Sequence, residues 1–496
     1  MDATGWQTLL TAIATLLAIG VAWVWKLNSA LKQTPPEVLA VSPHRWTEQE
    51  MKETYKRIEA RPIDWVKHLP PRLNRRYIVT GGCGGVGGQI VLHLLARGQS
   101  PESIRIVDFQ KPARPDMKTG PAALVGFAQA DITSPTATSA AFNKPWPNSV
   151  AHLPLTVFHT AAVIQASERS LKTYDNVKRV NVDGVKNVLE ASKQAGADVF
   201  ISTSSASISY IPVKYWGNPF RRWPEHYWQF LDDSDFDRPL RPHAEFFSNY
   251  AYAKATAERL ISAANSSSFR TGLVRPANGI YGTSHGDQIV GLVLRLGTLP
   301  SWTRNIVQNF VHTGNVSLAH LLFEAALLRD GGKTMPKCAG RAFAVTDAGP
   351  PPTFDDVYTL LRVTATPNTA PIKIVYLQPA IILVLAYIIE WFDLASRRPV
   401  LGWIVPRPKG ELAKLQPAIF SASTHLIASN KGAERSVDEG GIGYRPVTNT
   451  IDGICQQVLE WNIEHENSSK PAPQSGAETL VKEIKNVGAM PTVAGA

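Results

Sequence analysis

Cysteine is nearly absent: Cys83, Cys338 and Cys455 are the only three in 496 residues. None forms a Cys-x-x-Cys pair, which excludes a disulfide framework and a cysteine-rich zinc site and points to a reducing compartment. Histidines such as His159 and His312 are scattered rather than set at metal-ligand spacing, so no catalytic metal is expected. Charge is modest: 51 Lys and Arg against 41 Asp and Glu give a net +10, with 19% charged and 44% hydrophobic residues. That balance excludes disorder or collagen-like repetition for the bulk of the chain, and its length suffices for a large core. Internal repeats are lacking, as are zinc-finger and RNP-like motifs, so the basic surplus is not read as nucleic-acid binding.

Long apolar runs are rare, and two matter. Leu9–Trp25 is uncharged and, extended by Gly5–Thr8, reaches the roughly 20 residues a tilted membrane span needs. Residues 26–76 then carry eleven Lys and Arg against six acids. The expectation is a membrane anchor over 1–26 and a basic juxtamembrane linker over 27–74, with a short helix at Trp46–Ala60. The body would stay on the cytoplasmic side and anionic lipid would be the partner of the basic flank. The second run, Ile374–Ile389, is followed by Arg397, Arg398, Arg407 and Lys409 and reads as an interfacial helix, with a buried helix or second span as alternatives. The Ser-, Pro-, Gly- and Ala-rich tail, 466–496, reads as disordered.

Between these, strand-like runs (Tyr77–Thr80, Ser103–Val107, Thr156–His159, Val199–Ser202) alternate with helical patterns, which predicts a parallel α/β sheet. Tyr77–Thr80 runs into Gly81-Gly-Cys-Gly-Gly-Val-Gly87 and a helical stretch. Gly81 allows the tight turn, Gly84 lets a pyrophosphate approach the backbone, and Gly87 lets helix pack on strand. A second strand ends at Asp108, placed to hydrogen-bond a ribose 2′-hydroxyl, so the expected cofactor is NAD. NADP would need Lys111 or Arg114 to take its extra phosphate. Asp131, after a third strand, is assigned either to the adenine amino group or to a helix cap. Further on, Asn249-Tyr-Ala-Tyr-Ala-Lys254 sets Tyr250 and Lys254 four apart on one helical face, where an ammonium would favour the phenolate. Ser204 and Ser205 close a strand some 45 residues earlier, and a serine hydroxyl can orient a substrate oxygen.

At these residues the chain resembles the extended short-chain dehydrogenase/reductases, and within them the 3β-hydroxysteroid dehydrogenase family. The resemblance rests on Thr80-Gly81-x-x-Gly84-x-x-Gly87, Asp108, Phe158-His-Thr-Ala-Ala162, Asn181-Val-Asp-Gly-Val-Lys-Asn-Val188, Thr203-Ser-Ser205, Tyr250 with Lys254, Arg275-Pro-Ala-Asn-Gly-Ile-Tyr-Gly282 and Phe310-Val-His-Thr-Gly-Asn-Val316. It covers about residues 75–465. Among the subgroups of that family, the chain looks like the sterol-4α-carboxylate 3-dehydrogenases. The chain departs from them at Gly84-Gly-Val-Gly87 and by an aromatic insertion, Pro212–Phe247, read either as a roof over an apolar substrate or as packing under a long loop.

The resemblance implies an extended Rossmann-type doubly wound parallel sheet over 75–275 and a smaller C-terminal substrate subdomain over 276–465, preceded by the N-terminal transmembrane helix. It implies Ser205, Tyr250 and Lys254 as the catalytic set. The cofactor set would be Thr80, Gly81, Gly84, Gly87, Asp108, Asp131, Ala161 and Lys254. The expected activity is NAD(P)-dependent interconversion of a secondary alcohol and a ketone on a sterol-like or polycyclic lipid. The expected setting is the endoplasmic reticulum membrane, single-pass, with a homodimer allowed. A dehydrogenase of a specialised terpenoid or polyketide pathway is the alternative substrate reading, and a non-catalytic nucleotide-binding scaffold the alternative of another class. Sequons begin at Asn265, Asn315 and Asn467, and none is expected to carry glycan on a cytoplasmic body.

Overall fold

The structure is a computed structural model and describes residues 3–283, 286–365 and 371–466; the expected tail lies outside the described residues from 467 onward. Its strands are β1 (Arg76–Thr80), β2 (Ile104–Asp108), β3 (Gly126–Gln129), β4 (Leu155–His159), β5 (Ala197–Thr203), β6 (Trp228–Leu231), β7 (Arg270–Pro276), β8 (Ile280–Tyr281), β9 (Thr298–Ser301), β10 (Val311–His312), β11 (Ala342–Val345), β12 (Lys373–Tyr376) and β13 (His425–Ala428). Seven make one parallel sheet in the order β11-β7-β5-β4-β1-β2-β3. Helices cover both faces, which is why Tyr77, Ile78, Val79, Leu155, Val157 and Phe158 are all fully buried in continuous apolar runs. Strand order reverses between β1 and β4, whose ends meet at Thr80 and His159, and this reversal opens a crevice above the carboxyl ends of the strands.

The remaining strands form two-stranded pairs, β8 with β10, β9 with β12 and β6 with β13. The boundary expected at 275/276 is crossed twice. β11 comes from the C-terminal part yet pairs with β7 of the main sheet, and β6 of the aromatic insertion pairs with β13. Most of the insertion's aromatics are packing residues: Tyr215 and Tyr227 are buried and donate to the carbonyls of Phe420 and Leu31, each over 2.8 Å.

The segment 27–74 is not a linker. Its helix, Glu48–Ala60, starts at a capping box in which Thr47 accepts from the Glu50 amide and Glu50 accepts from that of Thr47. Met51 and Ile58 are buried against helices Phe354–Thr364 and Thr450–His465, and each contributes roughly 1.5–3 kcal/mol by burial. Asn462 donates to the Tyr55 hydroxyl over 2.8 Å and Arg57 to Asp452 over 2.6 Å. The acidic and basic residues that made this stretch look like a solvated connection occupy the helix's outer face.

Ahead of it, helix Ala3–Leu31 is long and apolar enough to cross a membrane. Its polar hydroxyls close on the helix itself: Thr8, Thr11 and Thr15 donate to the carbonyls of Thr4, Gln7 and Thr11 at 2.8–2.9 Å. Leu9 to Val21 face outward, whereas Leu27, Ala30 and Leu31 are buried in the body. The second apolar run is not one helix. Ile374 belongs to β12, paired with β9, and the helix begins at Pro379, suited to a first helical turn, and runs to Ser396. That helix buries Ala380, Leu383, Ala386 and Ile389 while exposing Ile381, Ile388 and Trp391, so one face belongs to the body and the other is apolar and open.

Candidate active site

The crevice is floored by the glycine turn. Gly81 has φ +70, and a Cβ there would lie 2.6 Å from the Ala161 amide nitrogen. This puts Ala161 beside the turn and requires a left-handed residue without a side chain. A Cβ on Gly87 would meet the Gly81 carbonyl oxygen at 2.4 Å, so the helix Gly85–Ala96 can seat on the strand only because that position is bare. Gly84 differs: its φ of −81 suits any residue and its nearest neighbour would be 3.3 Å away. What its missing side chain leaves is open space over a helix N-terminus that no side chain caps. Uncapped N–H donors beneath a bare backbone fit the pyrophosphate of a dinucleotide.

Thr80 holds the floor from below, its hydroxyl 2.7 Å from His159 Nδ1. Asp108 stands at the end of β2, where its Oδ2 accepts from the Cys83 amide over 3.0 Å and its Oδ1 from Gln110 over 3.3 Å. The carboxylate is thereby fixed at the turn's edge. Asp131 is exposed and accepts from the Thr133 amide over 2.9 Å; the helix that follows is capped by Ser134, not by Asp131. Lys111 is exposed, while Arg114 lies across the first turn of the glycine helix, donating to the Gly85 carbonyl over 3.1 Å and to Asp116.

Beside this floor runs helix Asn249–Ala263, capped by Ser248. Tyr250, Lys254 and Glu258 follow one another at successive turns, and all three are buried. The Ser205 hydroxyl stands beside the Tyr250 phenol and acts to lower its pKa; it is itself anchored to Ser207, with 2.8 Å between the two hydroxyl oxygens. Burial pushes the phenol up to about 12 against the lowering effect of Ser205. Lys254 donates to the Thr203 carbonyl over 2.9 Å, and burial brings its ammonium down to about 8, opposed by Glu258. The ammonium therefore sits one turn from Tyr250 on the strand's backbone, and the expected lowering of the phenol by lysine is not among the effects acting on it.

Ser204, the other serine candidate, turns away and donates to Glu258 over 2.7 Å. Glu258 in turn binds the buried Arg275, whose guanidinium also reaches Asp235 over 2.6 Å. This ionic cluster has no signature in local spacing, although Glu258 at four residues after Lys254 is its visible trace. Asn181, quoted above for its motif alone, sits in a π-helical turn, Arg179–Gly184, and grips the loop after β4 by accepting from and donating to the Val163 backbone, both at 2.9 Å.

That same loop connects the catalytic helix to the open apolar helix. Asn249 donates through its amide to the Glu168 carbonyl and through its side chain to the Ser170 carbonyl, both at 2.8 Å. Arg169, between them, clasps Glu390 of helix Pro379–Ser396 with two bonds of 2.7 and 2.8 Å.

A family model described as the 3-beta hydroxysteroid dehydrogenase/isomerase family matches residues 78–374. The chain is 31% identical over 399 residues to human 3 beta-hydroxysteroid dehydrogenase type 7, covering 77% of this chain and 94% of that protein. It is 30% identical over 288 residues to a 3 beta-hydroxysteroid dehydrogenase/Delta 5-->4-isomerase of Mycobacterium tuberculosis, covering 55% and 65% of the two chains. In fold, it resembles a UDP-glucose-4-epimerase from Stenotrophomonas maltophila solved with bound NAD, with a TM-score of 0.50 and 15% identity over 79% of this chain and 99% of that one.

Proposed function

The chain belongs to the 3-beta hydroxysteroid dehydrogenase/isomerase family, and from that premise we propose that it interconverts a secondary alcohol and a ketone on a sterol-like lipid while held at a bilayer. The observation that carries the reading is the pairing of Ser205 with Tyr250 above the dinucleotide floor, linked through Arg169 and Glu390 to an open apolar helix.

The cofactor is a nicotinamide dinucleotide, NAD in preference to NADP, which when bound supplies the hydride acceptor or donor. Tyr250 Oη exchanges the proton of the substrate oxygen. A phenol held protonated by burial is ready to donate in the direction of ketone reduction. In the direction of oxidation the phenol must lose its proton, and Lys254, held one turn away on the Thr203 carbonyl, would favour this only by turning its ammonium toward the phenol when cofactor and substrate are bound. Ser205 orients the oxygen. The apolar helix and the aromatic surface beside it favour a substrate drawn from lipid. The resemblance to sterol-4α-carboxylate dehydrogenases adds a β-keto acid product able to lose carbon dioxide.

Helix Ala3–Leu31 is the bilayer span, and its basic flank keeps the body with the cytoplasm at the endoplasmic reticulum. Sequon Asn315 supports a body without glycan there: it is fully buried and donates to Asp347 over 2.8 Å.

The test is the full chain in phosphatidylcholine vesicles, given NAD and a panel of 3β-hydroxysterols with and without a 4α-carboxylate. Reduced cofactor should appear with at least one of them. Its absence across the panel, with NAD binding intact, would contradict the substrate class.

A further inference from the structure

Where helix Ala3–Leu31 enters the body, it meets the tip of the aromatic insertion. The two frame a shallow cleft, with about 30 Å³ of water-accessible space, lined by Trp23, Lys26, Lys214, Arg221, Arg222 and Glu225, among others. We infer that the cations at the mouth of this cleft take the phosphate of an anionic phospholipid headgroup of the membrane the helix crosses. The inference rests on the reading of that helix as a bilayer span.

Position comes first. The helix is exposed and apolar up to Val21 and buried from Leu27, so it leaves the hydrocarbon between Trp23 and Lys26. That is the depth at which aromatic residues and headgroup phosphates sit. The insertion reaches the same level: Trp216 packs edge-on against Trp23 with centroids 6.2 Å apart, and Lys26 donates to the Pro219 carbonyl.

Charge comes second. Four cations line the cleft and a single carboxylate opposes them. Lys214 and Arg221 share that carboxylate, Glu225, at 3.3 and 3.8 Å, and both side chains remain more than half exposed. Arg222 bonds neutral Gln33 over 2.9 Å and lies 4.2 Å over the Trp223 ring. Such an excess is unfavourable as a closed protein site and favourable beside phosphates of the cytoplasmic leaflet. Shape comes third. An antiparallel bridge between Lys214 and Glu225 closes the loop into a finger with Phe220 at its tip, 90% exposed. An apolar tip flanked by cations, next to a membrane span, fits insertion among acyl chains with the cations left at phosphate depth.

The experiment reconstitutes the full chain into phosphatidylcholine vesicles with about a tenth phosphatidylserine, releases it in mild detergent, and identifies retained lipid by native mass spectrometry. One phosphatidylserine should be retained well above its share of the vesicle. Arg221→Gln with Arg222→Gln should lower that enrichment on the order of fivefold for each cation removed, and Lys214→Gln should do so by a similar factor. Phosphatidylserine retained only at its vesicle share, or retained equally by the variants, would overturn the site. Carbonate washing of the same vesicles reads the span separately: release of the chain would overturn the anchor and the cleft's placement with it, whereas a retained chain without enrichment would overturn the cleft alone.

Discussion

Lys254 donates its ammonium proton to the carbonyl of Thr203 over 2.9 Å. The cation is thus pinned to the end of β5, between the glycine turn and the tyrosine one helical turn before it. Burial makes this arrangement costly. The folded pKa of about 8 lies below the 10.5 of an exposed lysine, a gap equivalent to about 3 kcal/mol. The charged form is the one disfavoured by folding, so the opposition is fully present below pH 8. It fades as pH rises toward 10.5, where the unfolded chain still holds the proton. Lys254→Met should therefore abolish turnover yet raise Tm at pH 7 by about 3 °C, and the gain should shrink between pH 8 and 10.5. Scanning calorimetry across that range checks it; a lower Tm at pH 7 would mean that the Thr203 bond outweighs desolvation.

The two adjacent serines should separate cleanly. Ser204 belongs to the Glu258–Arg275 cluster and Ser205 to Tyr250. Ser204→Ala is expected to cost about 1.5–3 kcal/mol of stability with kcat little changed. Ser205→Ala should keep its Tm and lose about a hundredfold in kcat/KM. Paired denaturation and kinetic assays decide, and the reverse pattern would exchange their roles.

Much of this was legible because it is written locally. Buried parallel strands show as apolar runs, the glycine turn as a strand followed by bare positions, and Tyr250 and Lys254 as a helical pair. What stayed hidden depends on chain segments far apart. Thr203 serves Lys254 through a backbone carbonyl that any residue would offer, and Arg275 finds Asp235 across 40 positions. Residues 27–74 look like a connection because their helix shows a charged outer face. Its few buried residues are recognisable only against the helix Thr450–His465. The run from Ile374 misled because β-branched residues of a strand abut an apolar helix with no charge between them, and only Gln378 and Pro379 mark the break.

The glycines should also differ in kind. Gly87→Ala forces a Cβ to 2.4 Å from a backbone oxygen, so it should lower Tm markedly as well as weaken dinucleotide binding. Gly84→Ala meets nothing nearer than 3.3 Å and should melt normally while losing at least about tenfold in affinity, because its methyl occupies the pyrophosphate's place. Thermal melts with fluorescence titration of NAD separate the two; normal binding by Gly84→Ala would move the pyrophosphate elsewhere.

Cofactor choice follows from Asp108, fixed by the Cys83 amide, and from Arg114, committed to Asp116 and the Gly85 carbonyl. NAD should bind at least about tenfold more tightly than NADP, since the latter's phosphate would face the carboxylate. Asp108→Ser should narrow the difference. Tighter binding of NADP by the unaltered chain would assign the phosphate to Lys111 or Arg114.

The central claim, that Tyr250 moves the proton while hydride passes between a secondary carbinol carbon and a nicotinamide, is tested most directly by isotope. A 3β-hydroxysterol deuterated at the carbinol carbon is incubated with NAD and the full chain in vesicles, and the reduced cofactor is analysed by mass spectrometry. Deuterium should appear in the cofactor with the unaltered chain. With Tyr250→Phe it should fall by at least about a hundredfold while NAD affinity is unchanged. Undiminished transfer in Tyr250→Phe, or reduced cofactor that carries no deuterium, would contradict the account.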